Sequence, residues 1–180
     1  MTAHQDHQDH QDHRGYRGHR GYRGHLGHLG HQDHLELPQF ELGFPGPLRD
    51  RLVFAVLSGA KTATTGLLTE YERGDAPLPS AGQRSVVPDS AGRPVAVIEL
   101  SGVRLVRLAE VDRAHAEAEG EGHTTVATWR AAHEAFWHGP DLRKELGEPD
   151  FAVDDDTPVV LESFRVVERL ESGSVSAQDR

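Results

Sequence analysis

One ammonium group and three hydroxyls lie within residues 61–65, which read Lys-Thr-Ala-Thr-Thr. A hydroxyl beside a base can attack a carbonyl, and a lysine can serve as that base when burial lowers its pKa. The same stretch also suits a solvated loop in which Lys61 interacts with the C-terminal end of a preceding helix. A phosphate-binding P-loop is excluded, because a helical pattern precedes the lysine and the required glycines are missing. The residue types leave the first two interpretations open.

Three carboxylates alternate with small residues in the stretch 115–123, which reads His-Ala-Glu-Ala-Glu-Gly-Glu-Gly-His. The histidines lack the spacing of a helical zinc pair, and the carboxylates would not all face one way on a regular helix, which argues against a metal site. Two interpretations remain. The stretch is either a solvated helix end or a place where one carboxylate turns into a pocket as a general acid or base.

Four aromatic side chains form the third candidate group: Tyr71, Trp129, Phe136 and Trp137. The two tryptophans are eight residues apart, near the same face of a predicted helix. Packing in the core is the ordinary role of such residues. Stacking on a nucleic-acid base is the functional alternative.

The composition limits the partners of these groups. The chain has 19 lysines and arginines against 29 aspartates and glutamates, giving a formal net charge of −10 over 180 residues. A protein that binds long nucleic acid usually presents a basic face to the phosphates, so any nucleic-acid contact should be local, or the ligand small. Cysteine is absent, and neither a secretion signal nor a membrane-spanning run is found. We expect a cytoplasmic protein without membrane contact.

The N-terminal segment 1–38 is predicted to be a disordered tail. It repeats three-residue units, first His-Gln-Asp and then Arg-Gly-Tyr, Arg-Gly-His or Leu-Gly-His, and holds nine of the 13 histidines. Its few apolar side chains cannot offset the entropy of ordering. Clustered imidazoles predict weak, adventitious metal binding, and the arginines and tyrosines also fit a loose RNA-contacting arm. The last residues, 171–180, are predicted to be a flexible end.

The elements that position the candidate groups are predicted over residues 39–170. Apolar residues between Leu48 and Leu57 recur at helical spacing, with Pro47 at the first turn and Gly59 after the last. Another helix is expected to begin at a Thr124 or Thr125 cap. Gly102 suggests a bulge within a long strand. The remaining predicted segments are helices at 67–72 and 108–118, and strands at 85–87, 95–106 and 158–170. This order predicts an α+β fold with a largely antiparallel sheet or small barrel.

The ordered set of motifs resembles the ASCH domain family, in its YhfF-like bacterial branch. The resemblance covers about residues 39–170 and rests on the stretches 58–64, 68–72, 94–99, 119–122, 129–133, 158–160 and 164–167. It implies a PUA-like small β-barrel with flanking helices and a cleft that contains the Lys-Thr motif. The tail lies outside the match.

The resemblance also implies a function. The family is linked to binding of RNA or modified nucleosides. Some small members are amidohydrolases that remove the acetyl group of N4-acetylcytidine, and others resemble ribonucleases. The working groups of the amidohydrolases correspond here to Lys61, Thr64 and Glu119, with Glu117 and Glu121 as rivals for the glutamate.

The ligand implied by the family is a small nucleoside-like molecule or RNA, and no metal or other cofactor is expected. We assign substrate binding to Tyr71, Glu121, Trp129 and Arg130. The chain departs from the small amidohydrolases in an extra helix with two tryptophans. It also has Thr65-Gly66 where a basic residue often follows the motif. Nothing in the sequence points to an oligomeric state.

In the expected mechanism, Thr64 attacks the amide carbonyl and Lys61 takes its proton, after desolvation has lowered the lysine pKa from about 10.4 towards neutrality. Glu119 holds Lys61 or passes the proton to the leaving amine. An ionised Glu119 would raise the pKa of Lys61 and so keep the lysine protonated. The mechanism therefore requires the two residues to share one proton. The alternatives are a non-catalytic RNA-binding module, in which an aromatic side chain stacks on a base, and a ribonuclease in which Lys61 stabilises the charge on the phosphorane.

Overall fold

The computed structural model describes residues 36–73 and 77–170. The predicted disordered tail and the flexible C-terminal end therefore lie almost wholly outside the described residues. Helix α1 spans Pro47–Ser58, with proline in its first turn. It ends at Gly59, whose φ of 80° is the left-handed conformation that glycine adopts readily. Both boundary predictions are confirmed, and they fix where the chain enters the Lys61 segment.

Four antiparallel strands form one sheet in the order β1-β4-β3-β2. Their bounds are Ala63–Leu67 (β1), Arg84–Pro88 (β2), Pro94–Arg107 (β3) and Pro158–Arg169 (β4). The register of β3 against β4 shifts between Leu100 and Gly102, as expected for a bulge at that glycine. The sheet curls into a half-barrel, and the predicted α+β, PUA-like fold is confirmed.

Four more α-helices complete the described part of the chain: α2 (Leu68–Arg73), α3 (Arg113–Ala118), α4 (Val126–Trp137) and α5 (Pro140–Leu146). Thr125 caps α4 by accepting a hydrogen bond from the backbone N–H of Thr128, as predicted. Two expectations need correction. The helix predicted at 108–118 is a short 3-10 turn followed by α3, because the side chain of Asp112 caps a new helix there. Residues 63–65, expected in a polar loop, lie in β1.

Two apolar clusters pack on the sheet. One joins α1 to the strands through Leu52, Val56, Ile98, Phe164 and their neighbours. The other joins β1 and β4 to α4 and α5 and contains Trp129 and Trp137, which confirms core packing for both tryptophans. Buried polar residues lie near β1 and α3, including Lys61, Thr64, Thr65, His115 and Glu119. Across residues 36–73 and 77–170, no helix has the length and apolar character needed to cross a membrane.

Candidate active site

Lys61 is placed by backbone hydrogen bonds on both sides of it. Its own N–H donates to the carbonyl of Ala55 in α1 at 3.0 Å, and the N–H of Thr62 donates to the carbonyl of Ala118 in α3 at 2.8 Å. These bonds tie the end of α1 to the end of α3. The Lys61 side chain is 1% exposed, so its ammonium group can be satisfied only by protein groups.

Gly120 lets the acidic loop approach this segment. Its φ is +66°, and a Cβ atom built there would lie 2.2 Å from the carbonyl oxygen of Ala60 and 2.7 Å from the nitrogen of Lys61. No side chain fits at such distances. Glycine at position 120 therefore has a steric cause: the loop brings Glu119 and Glu121 to Lys61 by passing directly over the backbone of Ala60 and Lys61.

The ammonium group of Lys61 contacts three acceptors. Nζ lies 2.7 Å from Oε1 of Glu121, 3.2 Å from Oε2 of Glu119 and 3.3 Å from the backbone carbonyl of Glu119. A lysine ammonium has three protons, so each can be directed to one acceptor. The solvated-loop interpretation of Lys61 is therefore wrong, and so is the solvated-helix-end interpretation for Glu119, which is fully buried.

Donors surround the Glu119 carboxylate. Oε1 accepts from the Thr65 hydroxyl at 2.7 Å and from Nε1 of Trp129 at 2.9 Å. Nε2 of His115 lies 3.3 Å from Oε1, and Nε2 of His133 lies 3.4 Å from Oε2. Burial raises the pKa of Glu119, but the charge of Lys61 and the interactions with both histidines outweigh burial and hold this pKa well below its usual value of 4.5. Glu119 is therefore an anion at neutral pH.

The hydroxyl of Thr65 fixes the tautomer of His115. Its single proton is directed to the Glu119 carboxylate, which can only accept. Nε2 of His115 lies 2.9 Å from the same hydroxyl oxygen and must therefore donate. Thr65 thus acts as a positioning residue for Glu119, and its proton is not available to a substrate.

Thr64 differs from Thr65 in this respect. It lines the cavity described below and is 7% exposed. Its hydroxyl makes no side-chain hydrogen bond among the residues that the structure describes, and no fully buried nitrogen or oxygen among them lacks a partner. The Thr64 hydroxyl is therefore not completely enclosed by protein, although the residue as a whole is buried.

A cavity of about 1760 Å³ extends from this cluster between α1 and the pair α4–α5. Its polar lining residues include Thr64, Thr65, Glu119, Glu121 and His133. Seven lining residues carry carboxylates and four are basic: Glu41, Asp50, Glu70, Glu119, Glu121, Asp141 and Glu145 against Arg49, Arg51, Arg73 and Lys144. Such a wall favours a neutral ligand over a polyanion.

Three residues assigned to substrate binding lie away from the cavity wall. Tyr71 is 2% exposed and donates to Glu162. Trp129 is fully buried, and Arg130 pairs with Glu134 and Asp155. None of the three is among the cavity-lining residues. Glu121 does line it. Contact of any of the four with a substrate stays a prediction.

Three polar residues around Glu119 were given no individual role from the sequence: Thr65, His115 and His133. The only signal for His133 is that it follows Trp129 by four residues, so both lie on one face of α4. The rings of these two residues stack with centroids 4.2 Å apart. Within the described ranges, no group of three or more histidine, aspartate or glutamate side chains is arranged to hold a metal ion.

The fold and this buried Lys–Glu cluster define a PUA-like domain of the ASCH type. The ASCH domain model matches residues 41–168, and the chain belongs to the ASCH domain family, a family of RNA-binding, PUA-like domains. A search of curated proteins finds no match.

Two solved structures are similar over most of their length. The protein EF3133 of Enterococcus faecalis is 31% identical, with a TM-score of 0.61 over 72% of this chain and 74% of that one. The ASCH domain from Lactobacillus crispatus is 26% identical, with a TM-score of 0.61 over 78% of this chain and 87% of that one. Both likenesses extend beyond the signature around Lys61 to the whole domain.

Proposed function

We propose that the cavity binds a nucleoside or RNA-derived ligand, and that Lys61, Thr64 and Glu119 hydrolyse the amide of an N-acylated nucleoside such as N4-acetylcytidine. One observation carries the proposal. A buried lysine pairs with two carboxylates of a cavity wall, and the same wall contains a threonine whose hydroxyl has no hydrogen-bond partner among the described residues.

The charges of the cavity wall support a small neutral ligand. Carboxylates outnumber basic side chains among the lining residues. A phosphate backbone would meet repulsion there, whereas an uncharged nucleoside would not. The volume of about 1760 Å³ exceeds the roughly 300–1,000 Å³ of a typical ligand pocket. The base and its acyl group therefore need only part of the cavity.

The reaction would begin with attack of Thr64 Oγ1 on the amide carbonyl. A threonine hydroxyl is a weak nucleophile until a base takes its proton, and Lys61 is the base that the motif supplies. Glu119 keeps the lysine in place through the contact at 3.2 Å. Since Glu119 stays ionised, the lysine must lose its resting proton to another group before it can act.

The experiment follows release of cytidine from N4-acetylcytidine by chromatography. We expect Thr64→Val to lose turnover, because the methyl group that replaces the hydroxyl cannot attack. Thr62→Val is the matched control, since the Thr62 hydroxyl bonds to the carbonyl of Ala118 and lies outside the cavity wall. Equal turnover by native protein and Thr64→Val would reject Thr64 as the nucleophile.

RNA binding without catalysis is the second candidate, and family membership favours it. Phe54 adds a specific observation: it lines the cavity from α1, and 73% of it is exposed, so a base could stack on it. Under this alternative, or under a ribonuclease, affinity for RNA falls steeply with salt. Binding of a neutral nucleoside that is insensitive to salt supports the amidohydrolase instead.

A further inference from the structure

The two carboxylates that contact Lys61 differ in their surroundings. Glu119 is 1% exposed at its side chain and lies within 3.4 Å of donors from Lys61, Thr65, Trp129 and two histidines. Glu121 is 21% exposed, lines the cavity, and has Lys61 as its sole hydrogen-bond partner within the described ranges.

These surroundings decide which carboxylate can accept a proton. Protonating Glu119 would leave several buried donors facing an oxygen that no longer carries charge, and each weakened bond costs free energy at a side chain that is 1% exposed. Protonating Glu121 weakens one contact only, and cavity water can solvate the neutral acid. The distances agree with this difference, because Nζ of Lys61 is 2.7 Å from Glu121 and 3.2 Å from Glu119.

We propose that Glu121 exchanges a proton with Lys61 during amide hydrolysis, while Glu119 remains an anion that positions the lysine. This inference rests on the proposed function and deepens it. It replaces the expected Lys61–Glu119 proton sharing with transfer along the shorter contact. Other titratable groups on this part of the cavity wall are Glu119, His123 and His133.

Acylation of Thr64 proceeds in three steps. Glu121 takes a proton from Lys61, leaving a neutral amine. That amine takes the proton of Thr64 as Oγ1 bonds to the acyl carbon and the carbonyl electron pair moves onto oxygen. When the pair returns, the carbon–nitrogen bond breaks, and the leaving nitrogen takes the proton from Nζ. The nucleoside departs and Thr64 carries the acyl group as an ester.

Water completes the reaction through the same groups. Nζ takes one proton from water as its oxygen bonds to the acyl carbon. The ester bond then breaks, and Oγ1 of Thr64 takes that proton from Nζ, releasing the carboxylic acid. Glu121 finally returns its proton to Lys61. No oxidant, reductant or further reactant is needed.

The test uses chemical rescue in the full-length chain. Glu121→Ala removes a carboxylate that opens onto the cavity, so we expect kcat for N4-acetylcytidine to fall by about 100-fold or more. Added formate should restore part of this loss, because it can enter the cavity and accept the proton. Glu119→Ala also loses turnover, but formate should restore much less of it, because Glu119 acts by holding Lys61, Thr65 and Trp129 in place and a freely diffusing anion does not fix their positions. Glu117→Gln is the control, because Glu117 pairs with Arg113 on the exposed side of α3.

Each outcome is decisive. Loss in Glu121→Ala with formate rescue supports the proposal. The assignment of Glu121 is overturned if Glu121→Ala keeps the turnover of the native chain. It is also overturned if formate restores turnover in Glu119→Ala and not in Glu121→Ala. Either result leaves the proposed amidohydrolase activity intact. Absence of turnover by the native chain on every N-acylated nucleoside rejects the proposed function, and the role of Glu121 with it.

Discussion

Nζ of Lys61 lies 3.2 Å from Oε2 of Glu119, and both side chains are 1% exposed although the residues are 58 positions apart in the chain. Burying two charges costs more than one contact returns, so such a pair needs further hydrogen bonds to persist. Thr65, Trp129 and Glu121 supply them. The pair thereby joins the end of α1 to the loop after α3, and its loss should affect folding as well as chemistry.

Lys61→Met should destabilise the protein by about 3–5 kcal/mol, because it leaves the buried Glu119 anion without its charged partner. Adding Glu119→Gln to this variant should recover part of the loss, since the unpaired charge is then gone. Urea denaturation of the two single variants and the double variant measures the coupling. Strictly additive losses would show that the two side chains do not interact.

The low pKa of Glu119 makes stability depend on pH with a definite sign. Burial raises this pKa, but Lys61 and the two histidines lower it by more than burial raises it. The pKa in the folded protein therefore lies below the unfolded value of 4.5. The stabilisation is therefore fully present above pH 4.5 and is lost as pH falls through the folded pKa. As pH falls from 4.5 to the folded pKa, the free energy of unfolding should fall more steeply in the native chain than in Glu119→Gln. Parallel slopes in the two proteins would contradict this assignment.

Gly120→Ala should be more harmful than Gly122→Ala. Both glycines have positive φ, +66° and +84°, so both substitutions carry the backbone cost of roughly 1–2 kcal/mol. Only at Gly120 does the added Cβ meet other atoms, at 2.2 Å from the Ala60 oxygen. We therefore expect a larger drop in melting temperature for Gly120→Ala, together with lost turnover. Equal drops would mean that the loop does not pass close to Lys61.

Trp129→Phe removes the N–H that donates to Glu119 at 2.9 Å while keeping an aromatic ring in the core. The unsatisfied carboxylate oxygen should cost about 1–3 kcal/mol beyond the loss of packing. Trp137→Phe is the matched control, because Trp137 is equally buried on the same helix but makes no hydrogen bond to Glu119. Thermal denaturation compares the two; a control that is as destabilised as Trp129→Phe would assign the effect to packing alone.

The sequence predicted local features well, because each has a local cause. Pro47 and Gly59 mark the ends of α1, Thr125 caps α4, and Gly102 marks the bulge in β3. Strand β1 was not predicted, since the threonine-rich segment reads as polar, and only pairing with β4 and burial of all its residues make it a strand.

Within the candidate site, the residue types drew attention to the stretches 61–65 and 115–123, and resemblance to a family drew attention to Thr64 and Glu119 within them. The choice between a solvated helix end and an inward carboxylate stayed open, because the donors to Glu119 come from residues as far as 58 positions away. Thr65 and His115 lie in the two candidate stretches, but their contacts with Glu119 were not predicted, for the same reason. A threonine on a strand and a histidine on a short helix show no sequence pattern that predicts their contact at 2.9 Å.

The most direct test of the account is the rate of N4-acetylcytidine hydrolysis by the native chain and by Lys61→Arg. Arginine keeps the positive charge beside Glu119 and Glu121 but holds its proton at any working pH, so it cannot act as a base. The account predicts that the native chain releases cytidine and that Lys61→Arg, still folded by circular dichroism, does so at least about 100-fold more slowly. Hydrolysis by Lys61→Arg at the native rate, or no release of cytidine by the native chain, would contradict it.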